Sequence, residues 1–137
     1  MTRKGKHPVD DAAATVVTRV VASPAALDRV LDAAGRAHLR LAHDEALVFD
    51  EAPLELDDEW AIVERDTSWV MTELPHAEAA DFFAAHASWP PPTEASPSAQ
   101  GKLAGIAVKT RWTADRMIIL HPAAYSEDFE LRTGVRA

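Results

Sequence analysis

Eight carboxylates stand between Asp44 and Glu59 with no Lys or Arg among them: Asp44, Glu45, Asp50, Glu51, Glu55, Asp57, Asp58 and Glu59. Closely spaced carboxylates suit a hard cation, since Ca²⁺ takes about six to eight oxygen ligands. The spacing here is wrong for such a loop. Asp50-Glu51 and Asp57-Asp58-Glu59 bracket Ala52-Pro53-Leu54 without the glycine of an EF-hand turn, and Leu54 and Leu56 read as packing residues. The chain carries 22 acids and 14 bases, and setting the eight aside leaves 14 against 14, so the net charge of -8 is local. A field of that sign repels phosphate backbones and anionic lipid and attracts cations or a basic protein face. Nucleic acid and membrane are therefore not expected partners, and another protein or a second copy of the chain is.

Other chemistry-bearing residues lack the arrangement a reaction needs. Of the six histidines (His7, His38, His43, His76, His86, His121), none forms the i, i+4 pair with an intervening Glu of a zinc protease helix. His38 and His43 lie five apart on or beside a strand, on opposite faces. No serine among Ser68, Ser88, Ser96, Ser98 and Ser126 sits in the sharp, glycine-flanked turn that exposes a nucleophile. Gly101-Lys102-Leu103-Ala104-Gly105 has no helix after it, so it reads as a turn and a strand bulge and not as a phosphate cradle. The chain has no cysteine, which removes disulfides, thiolate metal sites and cysteine nucleophiles. Neither a catalytic residue nor a cofactor is expected.

These groups must be carried by ordered elements. At 137 residues and 47% hydrophobic content the chain suits one domain over 12–137, with a charged, disordered arm over 1–11. The start lacks the apolar stretch of a secretory signal, and no segment approaches the ~18 apolar residues of a membrane span, so a cytoplasmic protein is expected. The β-branched run from Ala13 to Val21 predicts a strand. Ser23-Pro24 opens a helix with Leu27, Val30, Leu31 and Ala34 on its buried stripe, and Gly35 closes it. His38–Leu41 and Ala46–Phe49 predict two short strands or one bent one. After the acidic loop, Trp60–Glu64 and Ser68–Leu74 read as a hairpin or bulged pair about Arg65-Asp66-Thr67.

Leu74-Pro75 starts a second helix whose stripe is Ala79, Phe82, Phe83 and the stem of His86. The prolines between Trp89 and Gly101 predict a loop. A second hairpin follows, Leu103–Trp112 and Arg116–Leu120, carrying Lys102, Lys109, Arg111 and Arg116 as a modest basic edge. His121-Pro122 begins a final helix. The order predicts an α+β fold, an antiparallel sheet with two or three helices packed on it, in which a strand-helix-strand echo suits ferredoxin-like halves.

From Asp66 to Leu131, the run Thr67–Leu74, the helix Glu78–His86, Ala99-Gln100-Gly101, the Leu103–Trp112 strand and Asp115–Leu120 together resemble one half of a glycine-cleavage aminomethyltransferase-like domain. The sarcosine oxidase gamma subunit, a small relative of that fold, is similar in the same way. The likeness implies an α+β fold and a non-catalytic accessory role, because in that family the flavin and folate chemistry belongs to larger subunits. It carries no catalytic residue over to this chain.

The expectation is thus a protein-interaction module docking through Asp50, Glu51, Asp57, Asp58 and Glu59 and the exposed aromatics Trp60 and Trp89, with a homodimer as one form. The alternative is a binder of a folate-like or amino-acid-like small molecule, or a minor enzyme. Its pocket would lie under the Pro-rich loop, with Glu64, Glu73, Gln100 and His121 as polar groups.

Overall fold

A computed structural model describes residues 15–50 and 53–135. The expected arm over 1–11 lies outside them. The chain gathers into two compact units, Val16–Asp66 and the remainder from Thr67 onward. Every strand pairing in both is antiparallel and short helices pack against the sheet, as an α+β fold requires.

In the first unit, β1 (Thr15–Val21) is followed by α1 (Pro24–Leu27), a single π-helical turn (Asp28–Asp32), β2 (His38–Ala42) and β3 (Glu45–Val48). The strand order is β2-β3-β1, with β4 (Ile62–Leu74) beyond β1. The open choice over 38–49 resolves as two strands in a hairpin. Ser23 caps α1, its Oγ accepting from the Ala26 amide at 3.2 Å, and Pro24 occupies the first turn, where no amide donor is needed. Leu27 and Leu31 are buried with Val20, Ala22, Ala26, Ala46 and Val48, and Val30 packs at their edge. Ala34 leaves the predicted stripe. The π turn, in which Ala33 donates to the Asp28 carbonyl, widens the helix and ends it two residues early. The same turn aims Asp28 and Asp32 at Arg40 Nη1, at 3.0 and 2.9 Å, while Asp32 Oδ1 lies 2.9 Å from His38 Nε2.

In the second unit the order is β4-β7-β6-β5, with α2 (His76–His86), β5 (Ser98–Leu103), β6 (Ile106–Trp112), β7 (Met117–Pro122), a 3-10 turn (Ala123–Tyr125) and α3 (Ser126–Thr133). Ala79, Phe82 and Phe83 of α2 and Phe129 of α3 bury Leu103, Ile106, Val108, Met117 and Ile119. The predicted stripe of α2 is the buried one.

Four expectations are corrected. The hairpin about Arg65-Asp66-Thr67 does not form. Asp66 is the one turn-forming type among them and no glycine follows it to complete a tight hairpin turn, and β4 runs unbroken for 13 residues. The Pro-rich loop stops earlier than Gly101, because Ser98–Leu103 is an added strand whose hairpin turn is Ala104-Gly105, both at positive φ (51° and 84°) as a two-residue type I′ turn requires. His121-Pro122 does not begin the last helix. The apolar run continues β7 through both residues, since proline at a strand's end needs no ladder donor, and α3 starts at Ser126.

Finally, the halves are not ferredoxin-like. Residues 53–61 enter β4 with no helix, and the second unit is a meander in which β5, β6 and β7 follow one another.

Candidate interaction surface

Residues 53–61 form a strap across the apolar side of the first unit. Leu54, Leu56 and Ala61 pack against its core, as the two leucines were expected to do. Exposure alternates along the strap: Pro53, Glu55, Asp57 and Glu59 face out, while Leu54, Leu56 and Asp58 are half buried. The strap is not extended throughout: the chain bends at Asp57 and turns at Glu59-Trp60, where the Ala61 amide donates to the Asp58 carbonyl at 3.2 Å.

Both ends are pinned. Arg36 donates from Nε and Nη2 to the Asp50 carboxylate and from Nη1 to the Pro53 carbonyl at 2.9 Å. Charge-assisted bonds of this kind, with Arg36 only 13% exposed, hold the entry of the strap firmly. At the exit, Asp58 accepts from the Ser23 amide (2.8 Å) and the Trp60 amide (2.9 Å), tying the strap to the cap of α1.

The acidic residues therefore divide by task. Glu45 accepts from Arg19 Nε at 2.7 Å, and this bond, ahead of the weaker influence of Glu64, raises the Arg19 pKa. Asp50 and Asp58 hold the strap. Glu51 lies outside the described residues. Glu55, Asp57 and Glu59 remain directed outward; Asp57 is 94% exposed, and its approach to Arg29 is long at 3.8 Å. Beside them Trp60 is 83% exposed, and Ile62 and Val63 are each about half exposed. The sequence signal for this division was the Leu54, Leu56 spacing, which identifies the inward row and so the outward one.

Trp89 does not join this exposed set. Its indole meets Phe83 edge-on at 5.0 Å, and Nε1 donates to the Lys102 carbonyl at 2.8 Å. It is a half-buried residue at the margin of the second unit's core.

The expected pocket groups are engaged separately. Glu64 accepts from Arg19 Nη1 at 2.8 Å in the first unit. In the second, Gln100 Oε1 accepts from Lys109 Nζ at 2.9 Å, and Glu73 pairs with Arg116 at 3.1 Å. Glu73, Leu74, Pro75, Asp115 and Arg116 line a depression of about 140 Å³, below the roughly 300 Å³ at which small-molecule sites begin.

His121 is fully buried, stacked on Phe129 at 4.1 Å, with Nε2 3.3 Å from Ser126 Oγ. Burial lowers its pKa to about 4, so the ring is neutral at pH 7. A serine beside a neutral histidine has the parts of a nucleophile and its base. Here Ser126 is 1% exposed, and no acid orients Nδ1 among the described residues.

Comparison with protein-family models, with curated proteins and with solved structures finds no match for this chain. Among the described residues no group of three His, Asp or Glu gathers as metal ligands, and no helix is long and apolar enough to cross a membrane. The basic edge is also largely occupied: Lys109 lies over the Trp69 ring at 5.3 Å as well as on Gln100, Arg111 reaches Ser98 Oγ, and Arg116 holds Glu73.

Proposed function

We propose that this protein is a non-catalytic docking module that engages another protein, or a second copy of itself, through the outer face of the strap and Trp60. The observation that carries the reading is the exposure of Trp60 on a backbone pinned at both ends. Interfaces concentrate binding energy in aromatic anchors surrounded by a polar rim, and a pre-organised anchor loses little entropy on docking. Glu55, Asp57, Glu59 and Trp60 contact the partner, and Asp50 and Asp58 present them. The likeness of residues 66–131 to the sarcosine oxidase gamma subunit supports an accessory-subunit form of the same role, with a larger catalytic subunit as the partner.

Native mass measurement and capture from lysate test this, with wild type and Trp60→Ala as parallel baits. A complex formed by the wild type and lost in the variant is expected. A monomer at high concentration, together with identical capture by both baits, would sink the reading.

A further inference from the structure

We propose that α3 is an acid-operated latch: a proton on His121 lifts α3 off the second unit's sheet while β4, β6 and β7 stay paired. His121 stands next to last in β7, opposite Val70 of β4, and its fully buried ring lies nearly flat on Phe129 of α3, with 17° between the planes. Nε2 faces Ser126 Oγ, also of α3. Nδ1 and the Thr72 hydroxyl are each buried without a protein partner, so neither reaches the other. An imidazolium has two N–H groups to place, and this site receives one.

No carboxylate offsets that charge among the described residues. Glu73 and Arg111 pair with Ile118, and Lys109 pairs with Leu120, so alternation turns all three to the face opposite His121; Val70, Thr72 and Thr110 share its face. On α3, Glu127 and Asp128 are exposed, Glu130 is half-buried beside Phe129, and Arg132 reaches out to the Ala104 carbonyl. On α2, Glu78 and Asp81 are exposed, and His86 lies two rings away, edge-on to Phe82, which in turn packs on Phe129. Tyr125 of the 3-10 turn is exposed. A proton on the buried ring therefore meets apolar walls and uncharged hydroxyls.

The element that yields is α3. It buries Ser126 and Phe129 alone, whereas the sheet beneath is laddered from β4 through β7 to β6 and covered separately by Ala79, Phe82 and Phe83 of α2. Isolated helices are marginal below about 12 residues, so an undocked α3 of 8 residues also melts. Once it has left, the ring protonates at the ordinary histidine value of 6.5, and with α3 seated only at about 4. Acid favours the open form.

Amide exchange of the full chain at pH 7 and pH 5, resolved by residue and corrected for intrinsic exchange chemistry, tests the latch. The opening constant of α3 is expected to rise about twentyfold over that interval, as the two values require. At pH 5 the amides of β6 and β7 keep at least about tenfold more protection than those of α3. His121→Leu abolishes the rise. Equal opening constants for α3 and β7 at pH 5 would make the response one global unfolding and overturn the latch, as would a rise that survives in His121→Leu. The ring signals of His121 in the wild type give a readout that needs no variant: a mainly neutral ring at pH 5 is expected, and a charged ring with α3 protection unchanged overturns the proposal.

Discussion

The indole of Trp89 occupies the space that a side chain at Gly101 would fill. A Cβ built at Gly101 would stand 2.6 Å from Trp89 Nε1 and closer still to Cε2, while Nε1 donates to the neighbouring Lys102 carbonyl. Gly101 pairs with Val108 in regular register, so it bends nothing. Its role is close approach. Gly101→Ala is expected to destabilise by about 1–3 kcal/mol through overpacking. Trp89→Ala is expected to destabilise by about 2–3 kcal/mol, less than a fully buried tryptophan would. In the double variant the clash is absent, so urea titrations will show the two effects falling short of additive; strict additivity would refute the contact.

His121 gives the fold an acid-sensitive point. Its pKa falls from 6.5 in the unfolded chain to about 4 in the folded one, so between those values the unfolded chain binds the proton and the folded chain does not. Stability is complete above about pH 6.5 and declines as pH drops towards 4, by on the order of 3 kcal/mol. His121→Leu removes that decline. The difference in unfolding free energy between variant and wild type should shift in the variant's favour between pH 7 and pH 4.5, and a pH-independent difference would refute the assignment.

The strap depends on Arg36. Arg36→Met removes the guanidinium bonds to the Asp50 carboxylate and to the Pro53 carbonyl. The expected loss is about 1–3 kcal/mol. Amide exchange should quicken across 53–61, while β6 and β7 keep their protection.

Trp60→Ala separates binding from folding. With 83% of the residue exposed, the substitution should move the unfolding midpoint within the noise of surface changes, about 0.5 kcal/mol, while docking weakens. A large stability loss would place Trp60 in the fold and not at an interface.

At the β5–β6 turn, Ala104 holds φ 51° ahead of Gly105 at 84°. L-residues other than Gly and Asn resist that region, and Asn-Gly is the preferred pair for a type I′ turn. Ala104→Asn should stabilise by about 1 kcal/mol, read as a rise in the thermal midpoint. Its backbone bonds to His86 and Arg132 do not depend on the side chain.

Much of the architecture was legible because it was written locally. Ser23-Pro24 marked a helix start, the 3.6 period marked Ala79, Phe82 and Phe83, and a β-branched run marked β1. What was hidden depended on neighbours distant in sequence. Ser-Ala-Gln-Gly-Lys carries little strand propensity, and it becomes β5 because Val108 and Thr110 supply a ladder and Trp89 covers Gly101. Composition announced the acidic stretch but not its division, since Arg36 lies 14 residues from Asp50 and Ser23 lies 35 from Asp58. Trp89 and Trp60 have the same chemistry in the sequence. Only packing tells one as core from the other as surface.

A strap whose even positions serve the interior and whose odd positions serve the exterior behaves as two independent tracks on one ribbon. Leu54, Leu56 and Asp58 are bound to the fold, whereas substitutions at 55, 57 and 59 leave it nearly untouched. Alternate letters of this stretch can be rewritten while the scaffold beneath registers no change.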